Sequence, residues 1–273
     1  ATKMMFTDEL ESFGIFSNCA NEDDDYVHAA KDSKLCLDTD ILQTMLATED
    51  ELCYHDLLSS ELPSIVHQTV AKLCLWLNYS TSVCWMSNVI IKRYYLAKTQ
   101  AELDLALICA CVSLCAKYQD STEPQYEYLA MHCQTTVDQI HVREIHVLET
   151  LSWDLCVYTP SDYLSLIYNS MSADEDETSC TMKNLMNVAN ERLLLLYQTG
   201  SLLLSTYPSS ILTLSLLLIL SFSSEHTEQI ILNQIKMFLK HKKSPQQYKD
   251  QVLRCVLSLN VELVNKQKYL CDT

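Results

Sequence analysis

From Leu62 onward, apolar side chains recur every three to four residues, the spacing of one helical face, with little of the two-residue alternation of strands. The pattern predicts five helices over residues 63–77, 82–96, 101–118, 124–133 and 136–152. Pro63 suits the first turn of the first, and a Thr135/Thr136 cap opens the fifth. The third is apolar nearly all round, so it is expected at the centre. Tyr158-Thr-Pro160 interrupts the pattern, and helical spacing returns over 161–171, 181–204, 208–222, 227–240 and 245–266. Again the third is almost entirely apolar. Upstream, Asp38-Thr-Asp40 supplies helix-capping chemistry ahead of Ile41, Leu42, Met45 and Leu46. The expected fold is all-α, with two five-helix modules preceded by an N-terminal helix. The architecture repeats without residue-level self-similarity.

Two charges break this pattern. The uncharged run Leu105–Ala116 ends at Lys117, and Glu144 falls in the middle of the stripe formed by Val137, Ile140, Val147, Leu148 and Leu151. Charges on apolar faces need partners. The pair can be a salt bridge between neighbouring helices, a lysine snorkelling from a helix end, or a site held ready for another protein.

Composition narrows the class. Two glycines and five prolines in 273 residues disfavour α/β and β-sandwich folds, whose turns depend on glycine. A net charge of -16 sets the chain against nucleic-acid phosphates and anionic membrane surfaces, so neither is an expected partner. The acidic runs 22–25 and 172–179 read as solvated loops or linkers. The expected layout is a flexible acidic segment over 1–37, a first module over 38–156 and a second over 157–273. Thirteen cysteines, an odd number, without a signal peptide suggest a reducing compartment, nucleus and cytoplasm. Cys74, Cys109, Cys111, Cys115 and Cys255 read as small core hydrophobes. The run Ile211–Phe222 is too short for a membrane span and reads as a buried helix.

Catalytic chemistry finds no foothold. Gly14 and Gly200 cannot make a phosphate-cradling loop or a nucleophile elbow. His141 and His146 miss the four-residue spacing of a zinc-binding helix, and Cys109, Cys111 and Cys115 lack the C-x-x-C pairing. His132-Cys133 has no supporting carboxylate nearby in sequence. No metal and no cofactor are expected. Trp153 reads as core packing, and Trp85-Met86 as partly exposed. The cluster Lys240-His-Lys-Lys243 reads as electrostatic capping of a helix end.

Several stretches resemble cyclins, D-type cyclins above all. Ala110-Cys-Val-Ser-Leu-Cys-Ala-Lys117-Tyr-Gln is similar to the third cyclin-box helix, and Val142-Arg-Glu144-Ile-His-Val-Leu-Glu-Thr-Leu-Ser-Trp-Asp-Leu155 to the fifth. Thr159-Pro-Ser-Asp-Tyr-Leu164 resembles the start of the second module, and Tyr207-Pro-Ser-Ser-Ile211 its third helix. Leu42–Glu51 and Leu62-Pro-Ser64 resemble the N-terminal helix and the beginning of the box. The resemblance spans roughly residues 38–268 and implies tandem cyclin boxes. It implies a non-catalytic regulatory subunit that binds and activates a cyclin-dependent kinase catalytic subunit, a monomer pairing with the kinase as a heterodimer. Lys117 and Glu144 match the family's kinase-contacting charges. Leu114, Tyr118, Ile145, Leu148 and Leu155 match the apolar residues around them. A cyclin-fold transcriptional adaptor that activates no kinase is the alternative.

The chain also departs from the family. Its substrate-docking helix is matched by Val66-His-Gln-Thr-Val-Ala-Lys-Leu73, with leucine in the tryptophan position, which leaves Val66, Thr69, Val70 and Leu73 as a degenerate docking patch. The family's buried arginine-aspartate pair falls at His67 and Lys92. The Leu-x-Cys-x-Glu motif of D-type cyclins is missing. This is the pattern of a divergent member, virus-encoded or from a distant lineage.

Overall fold

Two helices with hardly a polar face organise the molecule. In the computed structural model, which describes residues 39–52, 62–98, 103–120, 123–171, 176–198, 201, 203–221, 225–242 and 244–271, every described element is helical or irregular. The chain runs through α1 (Thr39–Glu51), α2 (Ser64–Trp76), α3 (Thr81–Ala97), α4 (Leu105–Cys115), α5 (Tyr126–His132) and α6 (Val137–Thr150). It continues through α7 (Pro160–Met171), α8 (Asp176–Gln198), a single turn α9 (Leu203–Thr206), α10 (Ser209–Ser221), α11 (Glu225–His241) and α12 (Pro245–Cys271).

In the first module α4 is the hub, with α2, α3, α5 and α6 packed around it. All its residues but Leu105 are buried. Alanine, cysteine and serine on its flanks let the neighbours approach closely. In the second module α10 plays that part for α7, α8, α11 and α12. Its buried hydroxyls all find acceptors. Ser209 donates to the Tyr158 carbonyl at 2.7 Å, Thr213 to the Ser209 carbonyl at 2.8 Å, and Ser215 to the Val252 carbonyl at 3.1 Å. The hydroxyls of α10 therefore enter this core with their hydrogen-bond demand met. The modules meet where α2 and α3 pack on α8 and α3 meets α7. The tandem five-helix arrangement with a leading helix is thus the fold.

Glycine does not end these helices. Asn78, Gln134 and Ser152 take left-handed φ values of 53°, 50° and 52° after α2, α5 and α6. In each case the following amide bonds back five residues, from Tyr79 to Cys74, Thr135 to Ala130 and Trp153 to Leu148. This is the Schellman closure, built here on side-chain-bearing residues that tolerate the left-handed region at some steric cost.

Several sequence expectations change. The helix expected over 181–204 begins at Asp176 and breaks after Gln198, so 176–179 are helical and not linker. Trp85 and Met86 are buried, and Trp85 lies edge-on to Tyr197 of α8 at 6.2 Å. Trp153 is 68% exposed, carried outward by the left-handed turn after α6. The acidic run 22–25 and the segment 1–37 lie outside the described residues.

The N-terminal helix is tied to the second module by a buried carboxylate. Glu49 of α1 accepts from the Ser210 amide at 2.9 Å and the Ser210 hydroxyl at 2.5 Å. Lys242, in the basic cluster after α11, lies 3.7 Å from Glu49 and 2.6 Å from Asp50, with its side chain only 8% exposed. Lys242 is therefore a buried ion-pair partner, not a helix-end cap; Lys243 lies outside the described residues. Burial raises the Glu49 pKa, against the opposing pull of Lys242 and Ser210.

Two outcomes are expected in chemical denaturation. Leu216→Ala, in the buried α10, should cost about 2–5 kcal/mol, whereas Leu257→Ala, 68% exposed on α12, should stay within about 0.5 kcal/mol. Glu49→Ala should cost about 1–3 kcal/mol and speed hydrogen exchange first in α1, because Ser210 loses its acceptor and Lys242 loses one of its two carboxylate partners.

Candidate functional site

Lys117 and Glu144 come together where α4 gives way to a π-helical turn, Ala116–Asp120. The wider turn is pinned at its far end. Asp120 accepts from the Ser80 amide at 3.0 Å and the Ser80 hydroxyl at 2.6 Å, and Ser80 itself caps α3. The buried face of α4 ends at Ala116, and Lys117 is delivered to the surface.

Glu144 is set by α6. That helix starts with a reciprocal capping box, Thr136 accepting from the Gln139 amide and Gln139 from the Thr136 amide. Ile140, Glu144 and Val147 then form the buried stripe against α4. The carboxylate survives there because four hydrogen bonds reach it. Oε1 accepts from the Ser113 hydroxyl at 2.5 Å, the Tyr126 hydroxyl at 2.8 Å and Lys117 Nζ at 3.0 Å. Oε2 accepts from Lys117 Nζ at 2.9 Å. The ammonium also lies 5.2 Å from the centre of the Tyr126 ring, whose position is fixed edge-on against His141 at 4.4 Å.

The pair is unequal in exposure. The Lys117 side chain is 42% exposed and that of Glu144 is 9%. Desolvation lowers the Lys117 pKa, but hydrogen bonds with Tyr126 and Glu144 outweigh it, and the net shift is upward. Tyr126 is also raised, by burial first and then by its bond to Glu144.

The apolar residues matched by resemblance divide in two. Tyr118 and Ile145 are more than half exposed, and Leu148 is half-buried. Leu114 and Leu155 are buried among the core side chains, so they support the face from beneath and cannot form its surface. Tyr118 also borders a groove of about 400 Å³ shared with Ile41 of α1 and Leu166 of α7.

The degenerate docking patch is not a surface. Val66, Val70 and Leu73 are buried, because α2 turns that face into the core, and the half-buried Thr69 gives its hydroxyl to the Ile65 carbonyl at 2.7 Å. His67 and Lys92 are both buried, and His67 Nδ1 lies 2.8 Å from Asn88 Oδ1. The thiols of Cys111 and Cys115 are raised by burial, Cys115 to about 12, in keeping with unreactive core cysteines. Among the described residues, no three histidine, cysteine or acidic side chains gather as a metal site, and no helix is long and apolar enough to cross a membrane.

Sequence reasoning missed Ser113 and Tyr126 as ligands of Glu144. Ser113 had a signal, a hydroxyl inside an otherwise apolar run. Tyr126 had none, since helical spacing does not say how the helix expected over 124–133 lies against the two that carry the charges.

Residues 40–156 match the family described as cyclin, N-terminal domain. The chain is 25% identical over 155 residues to the G1/S-specific cyclin-D1 of Xenopus laevis, across 53% of each chain. It therefore spans about half the length of that curated relative. Its fold is similar to a viral cyclin from herpesvirus saimiri, with a TM-score of 0.57 and 16% identity, covering 81% of this chain and 96% of that one. It is also similar to a chain of the CAK complex from Chaetomium thermophilum bound to ATP-γ-S, with a TM-score of 0.52 and 12% identity over 85% of this chain and 75% of that one. The resemblance to cyclins is thus supported in sequence over the first module and in fold across both.

The raised Lys117 and Tyr126 groups give a sign for alkaline stability. Both hold their protons more tightly folded than unfolded. Their contribution is complete below the ordinary values of 10.5 and 10.0 and is lost as pH rises through the raised ones. The stability gap between wild type and Lys117→Met should be constant from neutral pH to about pH 10. It should shrink above that, read by urea denaturation across the range.

Proposed function

We propose that this chain is a regulatory subunit that binds and activates a cyclin-dependent protein kinase, without catalysis of its own. The binding face is centred on Lys117 and Glu144. The observation that carries the reading is an ordered, part-exposed ammonium fixed on a buried carboxylate, with exposed Tyr118 and Ile145 and half-buried Leu148 on the same two helical segments. A solvated salt bridge would need no such support. The family match over the first module and the cyclin-like fold support the same conclusion.

The mechanism is rigid-body capture. Apolar side chains of the face supply most of the binding energy, and the charges set register. The mobile regulatory helix of the kinase docks against them and is held in one rotation. That rotation completes the kinase's own lysine–glutamate pair and frees its activation loop. The chain acts as a single chain pairing with one catalytic subunit.

Mixing the purified chain with a panel of cyclin-dependent kinase subunits should raise the phosphorylation rate of at least one. Lys117→Ala should weaken that binding by about 3–5 kcal/mol in calorimetry, since it strands a buried carboxylate at the interface. Wild-type affinity in the variant would refute the assigned face. Stable association that raises no kinase activity would favour a cyclin-fold adaptor instead.

A further inference from the structure

Two thiols from different elements meet beside an open groove, and neither takes part in the face around Lys117. Cys109 lies midway along the buried α4, and Cys133 is the residue that ends the short α5. One backbone carbonyl ties them together. The Leu129 oxygen accepts from the Cys133 amide at 3.1 Å and from the Cys109 thiol at 3.7 Å. The two sulfurs are also hydrogen-bonded to each other. Cys109 is sealed in the core. Cys133 lines a groove of about 610 Å³, with Thr135, Asp138, Val142 and Arg143 on its walls and Arg143 ion-paired to Asp104.

The contact makes the two sulfurs unequal. Their hydrogen bond favours the anion on Cys133 and lowers its pKa. The same bond, with burial behind it, raises that of Cys109. Thiol oxidation begins at a thiolate, and a second thiol in contact resolves the product. A thiol on a groove wall and a sealed partner thus stand side by side. Two other sites each lack one of these features. Cys156 is half-buried and borders the smaller groove beside Tyr118, but burial raises its thiol. Cys74 and Cys84 hydrogen-bond to each other, but that bond and burial raise Cys74, and neither lines the groove at Cys133. A disulfide brings its sulfurs to about 2.05 Å. Cys133 ends a helix of seven residues, ahead of the left-handed Gln134, so closure moves a helix end and leaves the hub α4 in place.

We propose that Cys133 is a thiol reactive toward hydrogen peroxide and that Cys109 resolves it, so that oxidation fastens the end of α5 to α4 through a disulfide. The Cys133 thiolate attacks one peroxide oxygen. The O–O bond breaks, the sulfur becomes a sulfenic acid, and the other oxygen leaves as hydroxide, which takes up the proton the thiol gave. The Cys109 sulfur then attacks the sulfenic sulfur. The S–S bond forms, the S–O bond breaks, and the hydroxyl leaves with the Cys109 proton as water. Two thiols are oxidised, and one peroxide is reduced to two waters. Excess thiol reopens the bond by exchange. None of this depends on the kinase-binding reading.

The test uses the full chain, reduced, exposed to hydrogen peroxide, alkylated, and digested without reductant for peptide mass spectrometry. A peptide pair joining Cys109 to Cys133, lighter by two hydrogens than its reduced parts, should appear before any Cys74–Cys84 linkage. Dithiothreitol should remove it. Hydrogen exchange in α5 should slow in the oxidised sample. Cys109→Ser should lose the linked pair and leave Cys133 as a sulfenic acid that dimedone labels, whereas Cys133→Ser should leave Cys109 reduced. The mapping on the wild-type chain decides the matter whether or not these variants fold. If Cys133 is still reduced when Cys156 has been oxidised, the proposal falls. It falls equally if the Cys74–Cys84 linkage forms first, or if Cys133 pairs with any cysteine other than Cys109.

Discussion

A desolvated carboxylate at the junction of α4, α5 and α6 sets the terms for this surface. An ionised glutamate away from water is costly unless its oxygens are fully hydrogen-bonded. The first module meets that demand from three elements at once: a serine of the central helix, a tyrosine of α5 and a lysine of the π-turn. These donors also tie the elements together. The position of Tyr126, and with it the start of α5, is coupled to α6 through one carboxylate. The ordered presentation of Lys117 follows from the same constraint.

The second module's use of the same kit shows what context adds. Around Glu49, serine, lysine and tyrosine make a sealed joint that fastens α1 to α10, with the lysine drawn in between two acidic side chains. Around Glu144 the lysine stands at the rim. The chemistry is the same, and solvent access decides whether a buried glutamate braces a joint or holds a lysine at the surface. Exposed Tyr118 and Ile145 near the second cluster give that rim an apolar margin, the combination of a wet charge and dry surroundings typical of protein interfaces.

The departures from the cyclin pattern are physically coherent. Leucine in place of tryptophan on α2 goes with a face turned into the core, so Val66, Val70 and Leu73 bind their own fold. His67 and Lys92 occupy a buried polar position without an acid–base pair of the family kind, and Asn88 serves His67 instead. Helix ends closed on asparagine, glutamine and serine explain how a chain with two glycines still makes sharp turns. Each substitution is local, and none disturbs the hubs α4 and α10.

Sequence by itself determined the helices, the two all-apolar hubs and the oddity of Lys117 and Glu144. Periodicity and desolvation act on neighbours in the chain, so their traces are readable there. It also determined the Thr136 cap, whose partner lies three residues away. Only the tertiary structure decided which charge faces outward, because that depends on Ser113, Tyr126 and Glu144 arriving from three different helices. It decided, too, that Trp153 is exposed while Trp85 is buried. Helical spacing cannot assign those places when a left-handed turn follows one residue and a second module covers the other. The same limit hid the role of Lys242, whose acceptors on α1 lie nearly two hundred residues away in sequence.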